Sequence, residues 1–224
     1  MLERSLPLAC LLSAAVAVAA CAPDAAHLDS PGRTLIAFGD SITAGVGAEE
    51  GQAYPAILQQ MLRVEVLSRG VPGETSADAV ARVDAILAER PWLVLVEFGG
   101  NDILRRVPIE RTEGNLRQVL DKLRSRRVAA VLVGVRAPYI GGRYAEMFER
   151  LSSEFDGGRS FYTQDVDDAL ADILADPALK ADEIHPNATG HRRLAEAIAE
   201  TLRPLIDKRR ELGLTVAMPG SSTP

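Results

Sequence analysis

At 224 residues, 47% of them hydrophobic and 25% charged, the chain has the apolar content for one well-buried domain of ordinary size. Its formal net charge of −6 at pH 7 argues against a nucleic-acid partner, which requires a basic surface to meet phosphate. The densest cationic run, Arg124-Ser125-Arg126-Arg127, falls at the end of an expected helix, where positive charge complements the macrodipole.

The first stretch in chain order lies outside the fold. MLERSLPLACLLSAAVAVAAC opens with Arg4, runs through an apolar core from Leu6 to Val18 and ends in small residues, the build of an export signal over residues 1–20. It is too short and too Ala-rich for a membrane span. Its end, Val18-Ala19-Ala20-Cys21, resembles the bacterial lipobox, which implies cleavage before Cys21, acylation of the Cys21 thiol and attachment to a membrane of the cell envelope or periplasm. Cleavage at an Ala-x-Ala site, releasing a soluble protein, is the alternative. Residues 21–33, with the Pro, Asp and Ser content of APDAAHLDSPGR, read as a linker. Both cysteines, Cys10 and Cys21, belong to the leader, so the domain expected over 34–212 has no thiol for a disulfide or a metal.

Within that domain apolar runs alternate with helical patterns. TLIAF, VEVLS, WLVLVEF and AVLVGV are short, continuous and rich in Val, Leu and Ile, as strands covered on both faces are; SFYTQDV, residues 160–166, is a fifth candidate. Amphipathic segments fall at 54–62, 76–89, 112–126, 142–155 and about 188–209. In the last, Leu194, Ile198, Leu202 and Leu205 share one face. Such alternation predicts a doubly wound α/β fold with a parallel sheet. Residues 213–224 read as a flexible tail. Ligands bind such sheets at the carboxyl ends of the strands. Ser41 follows the first strand there, Gly73 the second and Asn101 the third, while Asp182 and His185 follow the last strand-helix unit.

Those residues carry the chemistry. IAFGDSITAG, residues 36–45, stops a buried strand at a bend that presents one serine, and a serine hydroxyl needs a base to become a nucleophile. Of His27, His185 and His191, only His185 has a partner at a telling spacing: DEIHPN puts Asp182 three residues ahead, close enough for a turn to bring the carboxylate to one ring nitrogen. Pro186 keeps His185 out of helix, and Asn187 is a good cap for the helix that follows. Gly73, in RGVPGETS, lets a backbone N–H approach a substrate oxygen, and Asn101, in FGGND, offers a side-chain N–H; with Ser41 N–H they form three donors for a developing oxyanion. Each of these features alone also has a structural reading, as a surface turn, a glycine turn or a helix cap. Asp40 is not the acid of the set, since neighbours at a strand end point to opposite sides; its expected task is to brace the bend.

Taken in order, FGDSITAG, GVPGETS, GGND and DEIHPN resemble the four signature blocks of the SGNH hydrolases, the GDSL esterase/lipase family, and the small bacterial acyl-thioesterase, arylesterase and lysophospholipase branch in particular. The resemblance implies a flavodoxin-like three-layer α/β/α sandwich around a mainly parallel five-stranded sheet. It implies Ser41 as nucleophile, Gly73 and Asn101 as oxyanion donors, Asp182 and His185 as the rest of a triad, and no metal or organic cofactor. Ile42 stands where the name motif has leucine, and Ser68 where an asparagine commonly opens the second block. Other motifs fail on spacing: GVGAEEG lacks the third glycine of a dinucleotide loop, and Thr43 breaks the Gly-x-Ser-x-Gly elbow. The expected activity is hydrolysis of a small acyl ester, thioester or lysophospholipid through an acyl-enzyme. A carbohydrate O-acetyl esterase is the alternative within hydrolases, and a non-catalytic surface-binding lipoprotein the alternative outside them.

Overall fold

Valine- and leucine-rich runs that read as strands pair into one parallel sheet in the computed structural model, which describes residues 27–134, 142–154, 161–162 and 164–220. The strands are β1 (Thr34–Gly39), β2 (Val66–Gly70), β3 (Pro91–Glu97), β4 (Ala129–Leu132) and β5 (Phe161–Tyr162), in the spatial order β2-β1-β3-β4-β5. Every pairing is parallel, with Ile36 opposite both Leu67 and Val94. This is the doubly wound order whose reversal, and hence whose ligand crevice, lies between β1 and β3.

The helices are α1 (Ser41–Ala44), α2 (Tyr54–Leu62), α3 (Ser76–Ala88), α4 (Gly100–Leu104), α5 (Ile109–Ser125), α6 (Arg143–Glu154), α7 (Gln164–Ala175) and α8 (Ala188–Glu211), with a 3₁₀ turn at Pro177–Leu179. They cover both faces of the sheet because side chains alternate along each strand. Leu35, Ala37, Leu93, Leu95 and Val131 pack under α2, α7 and α8. Ile36, Phe38, Val94, Val96 and Leu132 pack under α3, α5 and α6. The three-layer sandwich is therefore present, and β3, buried along all seven residues, is its centre.

Three expectations change. Four strands have four or more residues, but the fifth shrinks to Phe161–Tyr162: from Gln164 the chain is already helical, and Val166, Leu170 and Ile173 are buried at helical spacing. The tail is docked as far as Ala217, whose N–H donates to Arg33 O while its carbonyl accepts from Glu65 N; Val216 and Ala217 are buried. The end of the linker is docked as well, with Leu28 and Ser30 buried. Cys10 and Cys21, with the export signal and the lipobox, lie outside the described residues.

Candidate active site

The bend after β1 is built by close approach. A Cβ on Gly39 would lie 2.1 Å from Thr43 Oγ1 and 2.6 Å from Glu97 Oε2, so only glycine lets the strand end turn against β3. Asp40 then caps α1, its Oδ1 accepting Ile42 N–H at 3.0 Å, and Ser41 becomes the first residue of that short helix. Asp40 thus braces the bend, as its place in the sequence suggests. Ser68, at the asparagine position of the second block, ties β2 to the same bend by donating to Thr43 O at 3.0 Å.

His185 arrives from the other end of the chain. Asp182 Oδ1 accepts the N–H groups of Ile184 at 2.9 Å and His185 at 2.8 Å, closing a tight turn, and its Oδ2 meets His185 Nδ1 at 2.7 Å. The turn is anchored below by Asn187, which caps α8 through Thr189 and Gly190 N–H and donates to Ala178 O at 2.8 Å. His185 Nε2 lies 3.0 Å from Ser41 Oγ. The hydrogen bond of the imidazole, assisted by the two backbone N–H groups, holds the Asp182 carboxyl down to about 2. An ionised Asp182 must accept, so Nδ1 carries the ring proton and Nε2 is left with a lone pair toward Ser41. That arrangement can take the hydroxyl proton as the oxygen attacks.

The groups expected from the sequence as oxyanion donors are also gathered at this rim. Asn101, in the first turn of α4, donates from Nδ2 to Asp40 Oδ2 and to Glu74 O, each at 2.9 Å, and so joins the residue before Ser41 to the residue after Gly73. Gly73 has φ +83°, a conformation that favours glycine, and its carbonyl accepts from Arg105 Nη2 at 2.6 Å. Among the described residues neither Ser41 N–H nor Gly73 N–H has an acceptor. An open cleft runs past Ser41, His185 and Asn101, and its apolar wall consists of Ile42, Ile103, Leu104, Leu174 and Ile184. All five predicted site residues thus meet at the carboxyl edge of the sheet.

Sequence reasoning did not reveal how three residues support this rim. Asp102, fully buried, accepts from Ser76 N at 2.8 Å, Ser76 Oγ at 2.5 Å and Thr112 Oγ1 at 3.1 Å, so it caps α3 rather than the helix it belongs to. Arg105 holds the Gly73 loop. Glu97, the last residue of β3, is wholly buried behind the bend, and a lone carboxylate closing the apolar run WLVLV was the signal that could have revealed it. His191 is structural: it is buried, with Nδ1 toward Tyr54 N and Nε2 toward Val46 O, both at 3.4 Å.

Known proteins resemble this chain in sequence and fold. The model of the GDSL-like Lipase/Acylhydrolase family matches residues 37–193. Esterase TesA of Pseudomonas aeruginosa is 34% identical over 186 residues, 78% of this chain and 90% of that protein. The Escherichia coli protein named Thioesterase 1/protease 1/lysophospholipase L1 is 33% identical over 183 residues, 78% of this chain and 85% of its own. Among solved structures, that of TesA superposes with a TM-score of 0.68 at 34% identity, covering 77% of this chain and 99% of that one. With the family's four sequence blocks meeting on one sheet edge and its model spanning residues 37–193, the chain belongs to the GDSL-like lipase/acylhydrolase family, the SGNH hydrolases.

Proposed function

We propose that this hydrolase cleaves acyl esters and thioesters through an acyl-enzyme on Ser41. The observation that carries the reading is the unbroken relay from Ser41 Oγ to His185 Nε2, 3.0 Å, and from His185 Nδ1 to Asp182 Oδ2, 2.7 Å. His185 takes the Ser41 proton as Oγ bonds to the carbonyl carbon, then gives it to the departing alcohol or thiol as the C–O or C–S bond breaks. Water, deprotonated by the same imidazole, hydrolyses the ester of Ser41 and releases the acid. Ser41 N–H, Gly73 N–H and the Asn101 amide serve as oxyanion donors. The apolar wall of Ile103, Leu174 and Ile184 supports an acyl chain longer than acetyl, whether carried by a simple ester, a thioester or a lysophospholipid.

The test is a panel of aryl esters of increasing acyl length with Ser41→Ala as the blank. Preference for medium or long chains, and loss of turnover and of phosphonate labelling in the Ser41→Ala variant, are the expected results. Undiminished turnover by that variant overturns the nucleophile assignment, and strict preference for acetyl, above all on an acetylated sugar, overturns the substrate class. Residues 1–21 support a second proposal, that the enzyme is exported and held to a membrane through lipid on Cys21. Cys21→Ser should release it into the soluble fraction; equally firm membrane attachment of that variant overturns the anchor.

A further inference from the structure

Behind Ser41 lies a buried carboxyl group that the reaction does not touch. Glu97 Oε2 accepts Asp40 N–H at 3.3 Å and the Thr43 hydroxyl at 2.9 Å, and Thr43 Oγ1 in turn lies 2.8 Å from Tyr54 Oη. Glu97 Oε1 is buried and meets no donor. Asp40, beside it, is the reverse case: Oδ1 accepts Ile42 N–H and Oδ2 accepts the Asn101 amide, so both of its oxygens are used as acceptors. Burial disfavours charge on either carboxyl group, and the Asp40 charge disfavours it further on Glu97, so the pair holds one proton. The proton therefore has one place where it satisfies an orphan atom and costs no existing bond, and that is Glu97 Oε1.

We infer that Glu97 is a positioning residue that acts as a neutral acid, its hydroxyl donating to the Asp40 carboxylate while its other oxygen receives Asp40 N–H and Thr43 Oγ–H. The hydrogen bonds then run in one direction, from Tyr54 to Thr43 to Glu97 to the single anion Asp40, and each strengthens the next. Asp40 spends that anchored charge on Ile42 N–H and Asn101 Nδ2, so the pose of the Ser41 bend and of the Asn101 amide depends on a proton held one residue layer deeper. Burial, with the Asp40 charge adding to it, holds the Glu97 carboxyl well above the usual carboxylate range. The groups facing the pair are Thr43 from α1, Tyr54 from α2, Asn101 from α4 and His185 from the loop before α8. None is a fixed cation that could compensate a second negative charge. Loss of the Glu97 proton at alkaline pH would put two anions in one dry space and shift the bend that carries Ser41.

This inference rests on the serine-hydrolase reading for its kinetic consequence but not for the proton itself, and the experiment separates the two. Glutamine reproduces the neutral acid: its carbonyl can accept from Asp40 N and Thr43, and its NH₂ can donate to Asp40 without titrating. The parent is expected to lose kcat at alkaline pH; Glu97→Gln is expected to keep kcat at pH 7 within about threefold of the parent and to lack that alkaline fall, with KM similar in both. Glu97→Leu, which keeps volume and loses both roles, is expected to lose about 100-fold in kcat, the cost of a displaced reacting group. On the unaltered protein, infrared spectroscopy at pH 7 should show a carboxylic-acid C=O band that moves on ¹³C-glutamate labelling, a readout that needs no turnover. Absence of that band overturns the proposal whatever Ser41 does. So does a folded Glu97→Gln enzyme that keeps the parent's alkaline limb, or one that falls 100-fold at pH 7.

Discussion

Asn101 Nδ2 donates to Asp40 Oδ2 at 2.9 Å, and its second hydrogen goes to Glu74 O at the same distance. The amide proposed as an oxyanion donor is thus also the clasp between the Ser41 bend and the Gly73 loop, and in that role it must share a hydrogen with one of these acceptors. Asn101→Ala should lower kcat by roughly 10²- to 10³-fold through the lost donor. It should also cost about 1–3 kcal/mol of stability, because buried Asp40 Oδ2 is left short of a partner. Ester kinetics and urea unfolding on one preparation check both; parental kcat with parental stability removes Asn101 from the site.

What could be read from the residues was whatever depends on local pattern. The Val/Leu runs of β1 and β3 and the helix at Tyr54–Leu62 follow directly from periodicity, and DEIHPN contains its own turn because Asp182 reaches the next backbone N–H groups without help from the rest of the chain. Elements decided by tertiary contact were not readable. Residues 160–166 have strand-like composition, yet Val166 begins the buried stripe of α7, and packing under α8 outweighs propensity. The tail residues Val216 and Ala217 look like any small apolar pair until Glu65 and Arg33 supply Ala217 with hydrogen-bond partners. Asp102 reads as a cap for its own helix, but the N-terminus it meets, Ser76 on α3, is 26 residues away in the chain.

Asp182 separates activity from stability. Its carboxyl is held at about 2, so it is ionised throughout any practical assay range, while its side chain is 53% exposed. A folded value below the ordinary 3.8 means that its contribution to stability is present above 3.8 and is lost as pH falls through about 2. An exposed pair of this kind is worth little to the fold. Asp182→Asn should therefore melt close to the parent at pH 7 while kcat falls by roughly 10⁴-fold, since an amide can also stabilise the wrong imidazole tautomer. A large drop in melting temperature without that loss of kcat would make Asp182 a structural turn residue instead.

Asp102 should behave differently. Its carboxylate collects Ser76 N–H, Ser76 Oγ–H and Thr112 Oγ–H in a dry pocket, and Asn115 Nδ2 supports Ser76 Oγ at 3.0 Å. Asp102→Ala leaves these buried donors unmatched and should cost about 3 kcal/mol or more. Because α3 begins directly after the Gly73 loop, kcat should fall as well, in contrast to Asp182→Asn, where only kcat moves. Denaturant midpoint against kcat for the two variants distinguishes them, and a stable, slow Asp102→Ala enzyme contradicts the assignment.

Arg209 is the test of distance. Its guanidinium, 1% exposed, donates to Leu28 O at 2.5 Å, Ser30 O at 2.9 Å, Gly32 O at 2.5 Å and Thr215 O at 3.2 Å, and lies 4.9 Å from the centroid of Trp92. One side chain thereby fastens the segment that enters β1 and the segment that leaves α8. A planar fork with five donors fits four carbonyls as an ammonium cannot, so Arg209→Lys should destabilise by about 2–4 kcal/mol despite keeping the charge. The clamp sits at the amino end of β1 and Ser41 at its carboxyl end, about 20 Å apart at the usual rise per strand residue. Well below the melting point, kcat should stay near the parental value while protease cuts the chain near residue 30 more readily. Lost kcat in a variant that unfolds at the parental urea concentration would show that the two ends of β1 communicate, which this packing gives no reason to expect.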